Sequence, residues 1–347
     1  MKKNSNFFFS EEEKQALKQD IIDSAESVKS KERNARVKRF LGYAAVACVI
    51  GIIATVFYSR IPDANASDIE RFVEQSKEEI NFKSDQVTIL LEENQINLSE
   101  DSTEVAYSSK GDQLTLGNGK SIQQKVNSKN KAVFNTIIVP YGKRGKLTLS
   151  DGTKVWLNSG SRLVYPLVFS KDKREVYLQG EAIFDVAHNK EKAFKVLSDN
   201  QEISVLGTVF NVSVYPGDDA QQTVLKEGSV LVTYKEEKKQ LKMAPGDFFE
   251  YNTASKKIAT RKVDPDVYFS WRDGELTLNR TDLGSIVKKL SRYYNVEIAI
   301  KNEDLQNETF SGKLDLKETL EDVLLTIRNT SEFQYEYKNN DTLVINR

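Results

Sequence analysis

The hydrophobic pattern along this chain changes period several times, and each change marks a different kind of structure. Leu41 and Tyr58 bound a run (LGYAAVACVIGIIATVFY) of eighteen residues with no charge and no period. As a helix it spans about 27 Å at ~1.5 Å per residue, close to a hydrocarbon core of roughly 30 Å. A globular helix would keep a polar side, so the run predicts a single transmembrane helix. Tyr43, Phe57 and Tyr58 fall near its ends, where aromatic rings suit the headgroup level. Upstream, residues 10–28 have helical period. Ser10 with Glu13 forms a capping box, and Leu17, Ile21, Ala25 and Val28 follow one another at helical steps as a narrow apolar stripe. A 40-residue tail offers this helix no core, so it lies against a partner or the membrane surface. The acids among its lysines favour a partner.

From Gln86 the period falls to two. Strands are expected at 87–91, 95–98, 104–107, 113–116 and 133–139, and then at 146–149 and 153–157 around Asp151-Gly152, a strong hairpin signal. Further strands are expected at 174–178, 182–186, 194–197, 202–206, 209–214, 222–226, 229–234, 239–243 and 248–251, with Gly180, Gly207, Gly228 and Gly246 between them. Gly180-Glu-Ala-Ile-Phe184-Asp-Val186 resembles Gly207-Thr-Val-Phe210-Asn-Val212, which suggests stacked β-units. The region reads as all-β, stacked and solenoid-like, with a sandwich left open. After Pro265 strands and helices alternate. A helix near Thr281 carries Leu283, Ile286, Val287, Leu290 and Tyr294, and a second, capped by Asp315, carries Leu320, Val323, Leu324 and Ile327. The order βαββαββ is a small α+β domain. The expected organisation is a tail (1–40), a transmembrane helix (41–58), a stalk with a helix around 67–80 (59–85), a β-rich domain (86–262) and the α+β domain (270–347).

Charge orients the chain. Lys29, Lys31, Arg33, Arg36, Lys38 and Arg39 precede the apolar run, whereas Arg60 beyond it stands with Asp63, Asp68 and Glu70. The positive-inside rule puts the tail in the cytoplasm and the bulk outside. Ala64-Asn65-Ala66 has the form of a signal-peptidase site, but the leader and the apolar run are both too long for a cleaved signal. A net charge of −1 gives no footprint for nucleic acid. With Cys48 the one cysteine and His188 the one histidine, disulfides and zinc sites are not expected. No phosphate-binding, hydrolase or metalloprotease motif is present, and no cofactor is implied. Asp218-Asp219, Asp247 and Glu250 are carboxylates better suited to turns and edges than to catalysis, and Trp156 and Trp271 suit core or junction anchors.

The segment VPYGKRGKLTLSDGTKVWLNSGSRLVYP (139–166) resembles the FecR-type transmembrane anti-sigma regulators, and the likeness continues through REVYLQGEAIFDV (174–186), VLGTVFNV (205–212) and LKEGSV (225–230). Residues 270–347 are similar to the C-terminal domain of that family, which resembles the secretin/TonB short N-terminal fold. The resemblance implies a non-enzymatic regulator in the bacterial inner membrane, with its N-terminus cytoplasmic and its bulk periplasmic. It would relay a signal from a TonB-dependent outer-membrane transporter, through that transporter's signalling domain, to a cytoplasmic extracytoplasmic-function sigma factor. The tail departs from the family in holding no tryptophan. Sigma contact is therefore expected at the stripe of Leu17, Ile21, Ala25 and Val28. Another reading of the same features is an envelope-anchored module that grips a glycan or protein. For the periplasmic contact, the edges of the α+β domain are expected to accept a strand.

Overall fold

The computed structural model describes residues 67–76, 82, 84–92, 94–98, 104–124, 132–339 and 341–347, with isolated positions at 14–16, 18–19, 23–24, 29, 48 and 51. Leu17, Ile21, Ala25, Val28, Leu41 and Tyr58 lie outside the described residues; of the apolar run only Cys48 and Gly51 are described. Among the described residues no helix is long and apolar enough to cross a membrane. The chain divides into two units, Met1–Ala66 and Ser67–Arg347. The second unit holds the β-sheets and the C-terminal domain.

It opens with α1 (Asp68–Gln75). Ser67 caps this helix in a complete capping box with Glu70, whose carboxylate accepts from the Ser67 N–H at 3.0 Å. Then come β1 (Val87–Leu90), β2 (Gln95–Leu98), β3 (Glu104–Tyr107), β4 (Gln113–Leu116), β5 (Ser121–Gln123), β6 (Phe134–Val139), β7 (Gly145–Thr148), β8 (Lys154–Leu157) and β9 (Ser161–Pro166). The long β10 (Arg174–Asp185) follows, then β11 (Phe194–Leu197), β12 (Gln201–Val205), β13 (Val209–Val214), β14 (Ala220–Glu227), β15 (Val230–Tyr234), β16 (Lys239–Met243), β17 (Asp247–Asn252) and β18 (Ile258–Lys262).

The pairings resolve into two sheets that share β10. The first runs β2-β1-β6-β9-β10-β11-β12-β15-β16. The second runs β5-β4-β3-β7-β8-β10-β13-β14-β17-β18. One apolar core lies between them, with Leu163, Val176 and Phe194 from the first sheet meeting Leu147, Phe184 and Phe210 from the second. From β11 onward, successive hairpins alternate between the sheets, each adding beside the one before. The expected stacking is thus realised as antiparallel hairpins in a two-sheet sandwich, and the solenoid reading gives way to it. The two similar segments become neighbours: β10 and β13 pair antiparallel, and Phe184 stacks on Phe210 with ring centres 5.2 Å apart.

β10 was expected as two strands broken at Gly180. It is one strand with two partners. Residues before Gly180 pair with β9 and β11, and residues from it onward pair with β8 and β13. Gly180 has φ of +97°, and a Cβ there would lie 2.6 Å from the Ser161 Cα, so both backbone and space require glycine at the bend. At the start of β10 the Arg174 side chain is 2% exposed. Its guanidinium donates to Asp151 at 3.0 Å and to the Ala187 and Lys192 carbonyls, tying the Asp151-Gly152 turn to the loop after β10.

Outside the first sheet, α1 lies across β9 and β10. Ile69 and Val73 bury themselves against Val164, Tyr177 and Leu197, and Phe72 meets Phe134 at 5.2 Å.

A short α2 (Asp266–Phe269) and a 3-10 turn (Ser270–Asp273) lead into the C-terminal domain: β19 (Glu275–Asp282), α3 (Leu283–Tyr294), β20 (Glu297–Ile300), α4 (Glu303–Gln306), β21 (Thr309–Asp315), α5 (Leu320–Arg328), β22 (Gln334–Asn339) and β23 (Thr342–Asn346). β19 pairs with β21, and a second sheet runs β20-β23-β22. Leu283, Ile286, Leu290, Leu324, Leu343 and Ile345 form its separate core. Asp282 caps α3 by accepting from the Ser285 N–H. The cap of α5 is Thr319, which accepts from Asp322; Asp315, the expected cap, instead receives the Lys317 N–H in the turn before it.

Candidate functional site

The carboxylates singled out in the sequence are engaged as ties. Asp247 accepts from the Ala244 N–H and pairs with Lys262 at 2.8 Å, and Glu250 accepts from Gln222 at 3.0 Å across β14 and β17. Asp218 and Asp219 reach Arg292 and Lys288 on α3. His188 packs against Gly207, where a Cβ would meet the imidazole Nδ1 at 2.3 Å. Among the described residues no three metal-ligating side chains gather.

What these ties build is a junction between the sandwich and the C-terminal domain. Trp271 is 7% exposed and packs with Phe269 on Ile183, with Trp156 alongside. Both tryptophans are therefore junction anchors. Around them the contacts are cationic. The Arg272 guanidinium lies 5.3 Å from the Trp156 ring centre. Arg144 donates to the Trp271 carbonyl at 2.5 Å and sits 5.3 Å from the Tyr293 ring. Arg292, on the last turn of α3, has its guanidinium carbon 3.7 Å from the Tyr215 ring centre and pairs with Asp218 at 2.5 Å, while its carbonyl accepts from the Gly142 N–H. Burial opposes the Arg292 cation, but Tyr215, Asp218 and Glu181 together hold it above the ordinary guanidinium range. Burial, then the Glu181 charge, pushes the Tyr215 phenol well above its ordinary range. A cleft of about 240 Å³ remains at the junction, lined among others by Glu181, Glu250, Tyr268 and Lys289.

The second feature is an open edge. Among the described residues β22 pairs with β23 alone, and of its side chains only Tyr335 is even half-buried. Tyr337 is 44% exposed and donates to Glu321 on α5 at 2.6 Å; one turn along the same flank, Leu325 is 42% exposed. Burial, then the hydrogen bond to Glu321, pushes the Tyr337 phenol up to about 12. A six-residue strand with one edge unpaired among the described residues, carrying the exposed Tyr337 near the exposed Leu325, offers backbone hydrogen bonds together with apolar area.

Sequence reasoning did not find the Arg292–Tyr215–Asp218 clamp, because its partners are more than seventy residues apart and no local pattern links them. It placed the open edge in the C-terminal domain without naming the strand. The alternating polar and aromatic residues of Gln334-Tyr335-Glu336-Tyr337 carried that signal, since a strand with no apolar run is an edge.

A family model described as "FecR protein" matches residues 135–231, and one described as "FecR, C-terminal" matches residues 275–345. Two crystal structures of a proposed anti-sigma factor from Parabacteroides distasonis are similar to this chain. One is 31% identical with a TM-score of 0.57, and the match covers 60% of this chain and 97% of that one. The other is 30% identical with a TM-score of 0.57, and the match covers 62% of this chain and 99% of that one. No curated protein sequence matches.

Proposed function

We propose that this chain, which belongs to the FecR family of anti-sigma factors, relays a signal across the bacterial inner membrane by binding alone. Its stripe of Leu17, Ile21, Ala25 and Val28 holds an extracytoplasmic-function sigma factor in the cytoplasm. Residues 41–58 anchor it. Outside, its C-terminal domain receives the periplasmic signalling domain of a TonB-dependent outer-membrane transporter. The observation that carries this reading is the open β22 edge, flanked by Tyr337 and Leu325 and far in sequence from the anchor. A regulator that works by contact can signal only through differential binding between two states, and Asp218, Asp247 and Glu250 of the sandwich are engaged in structural ties.

Full-length protein tests both ends at once. Leu17→Asp with Ile21→Asp should lose retention of the sigma factor encoded in the same gene cluster while still capturing the transporter's signalling domain. Tyr337→Arg with Leu325→Arg should do the reverse. If neither pair changes its own partner, the reading fails.

A further inference from the structure

The outer face of the first sheet holds a feature that the relay has not used. Val164, Tyr177 and Leu197 lie side by side on β9, β10 and β11, pointing away from the sandwich core, and yet they are 0%, 3% and 3% exposed. α1 is what covers them. Lys235 fastens its first turn, donating to Glu70 at 2.7 Å and to the Ser198 carbonyl at 2.8 Å. Arg162 fastens its end, donating from Nη2 to the Ser76 hydroxyl at 2.9 Å.

Three properties make this attachment reversible. An eight-residue helix is well below the roughly 12–15 residues at which an isolated helix becomes even marginally stable in water, so α1 keeps its shape only while docked. Docking and helix formation are one event. Second, Arg162 is 3% exposed, has no carboxylate partner among the described residues and leaves its Nε without a hydrogen bond; burial lowers its pKa. Water would solvate that guanidinium if α1 left. Third, the Glu70–Lys235 pair is partly exposed and open to competition by solvent and salt.

We propose that α1 is a releasable strap that sets the length of the tether between the membrane anchor and the sandwich. This rests on the reading that residues 41–58 are that anchor. Docked, the eight residues of α1 span ~12 Å; melted and extended they reach ~28 Å, so release lengthens this segment by about 16 Å and uncovers Val164, Tyr177 and Leu197. The strap is the element whose two states a periplasmic contact can bias, and the stalk below it is the part that leads to the tail.

The test uses full-length protein in lipid nanodiscs, read by hydrogen exchange, and the same variants in cells, read by a sigma-dependent reporter. Amides 70–76 should be protected in the unaltered chain. Ile69→Asp should speed their exchange at least tenfold and Lys235→Ala about threefold, while amides 176–184 in β10 keep their protection. Both variants should shift reporter output in one direction, Ile69→Asp more. Unprotected 70–76 amides in the unaltered chain would overturn the strap. So would a tenfold loss of protection with an unchanged reporter in cells where Leu17→Asp with Ile21→Asp does change it. If that tail pair also leaves the reporter unchanged, or if the chain is missing from the membrane fraction, it is the relay itself that fails.

Discussion

The β16 and β18 edges of the sandwich and the β22 edge of the C-terminal domain differ in the charge they carry. At one end of each sandwich sheet, β16 carries Lys239 and Lys242 and β18 carries Arg261 and Lys262, whereas the opposite ends, β2 and β5, hold no charged residue. Charged side chains along an unpaired strand discourage another strand from adding to it. The C-terminal sheet ends in β22, where Tyr335 and Tyr337 replace the lysines and only Lys338 carries positive charge. The cores differ as well. Between the sandwich sheets lie aromatic rings in mutual contact, Phe184 with Phe210 and Tyr234 with Tyr251, whereas the small domain is filled mainly by leucine and isoleucine from its helices and strands.

The strongest way to break this comparison is through the cores. Phe184→Ala should cost about 3–5 kcal/mol, because a fully buried ring stacked on Phe210 leaves a cavity that two packed sheets cannot close. Leu324→Ala, fully buried in the other core, should cost about 2–5 kcal/mol. Urea unfolding followed by segment-resolved hydrogen exchange should show each loss confined to its own region. A common shift in both would mean that the regions fold as one.

A smaller effect is expected where they meet. Arg292→Ala strips Asp218 of its partner and Tyr215 of its cation, and should weaken the junction by about 1.5–3 kcal/mol. A double-mutant cycle with Asp218→Ala should return a coupling energy of that sign. Absence of coupling would make the clamp incidental. Smallest in stability, within about 0.5 kcal/mol, should be Lys239→Val with Lys242→Val on β16. Its effect should appear instead as concentration-dependent self-association in light scattering. A monodisperse double variant would show that those lysines do not guard the edge.

Much of the sandwich was legible wherever turn chemistry or alternation survives in the local sequence. Asp151-Gly152 marked the β7–β8 hairpin, and the strands from β11 to β17 followed their alternating positions. β9 left no such trace. All six of its residues are buried, since the sandwich core takes one face while the other lies against α1 and its surroundings, and it includes Arg162 and ends at Pro166. No alternation remains when both faces are covered. β18 was hidden for the opposite reason, as four of its five residues are exposed. At the candidate site, Trp156 and Trp271 were legible as anchors because large aromatic residues rarely stand free in a polar chain. Arg292 was not, because on a helix its side chain reads as one more solvated charge until Tyr215 is seen beneath it.

β10 carries a consequence for how this protein can change over generations. Its even-numbered residues face the interior in both halves, Val176 and Leu178 in the first sheet and Ala182 and Phe184 in the second, while Tyr177 meets α1 and Ile183 meets Trp271. One residue inserted or deleted before Gly180 would turn the first half inside out and leave the second untouched. The same change after Gly180 would do the opposite. Hairpin tips can lengthen or shorten by drift, but the twelve residues from Arg174 to Asp185 can only be substituted, never recounted.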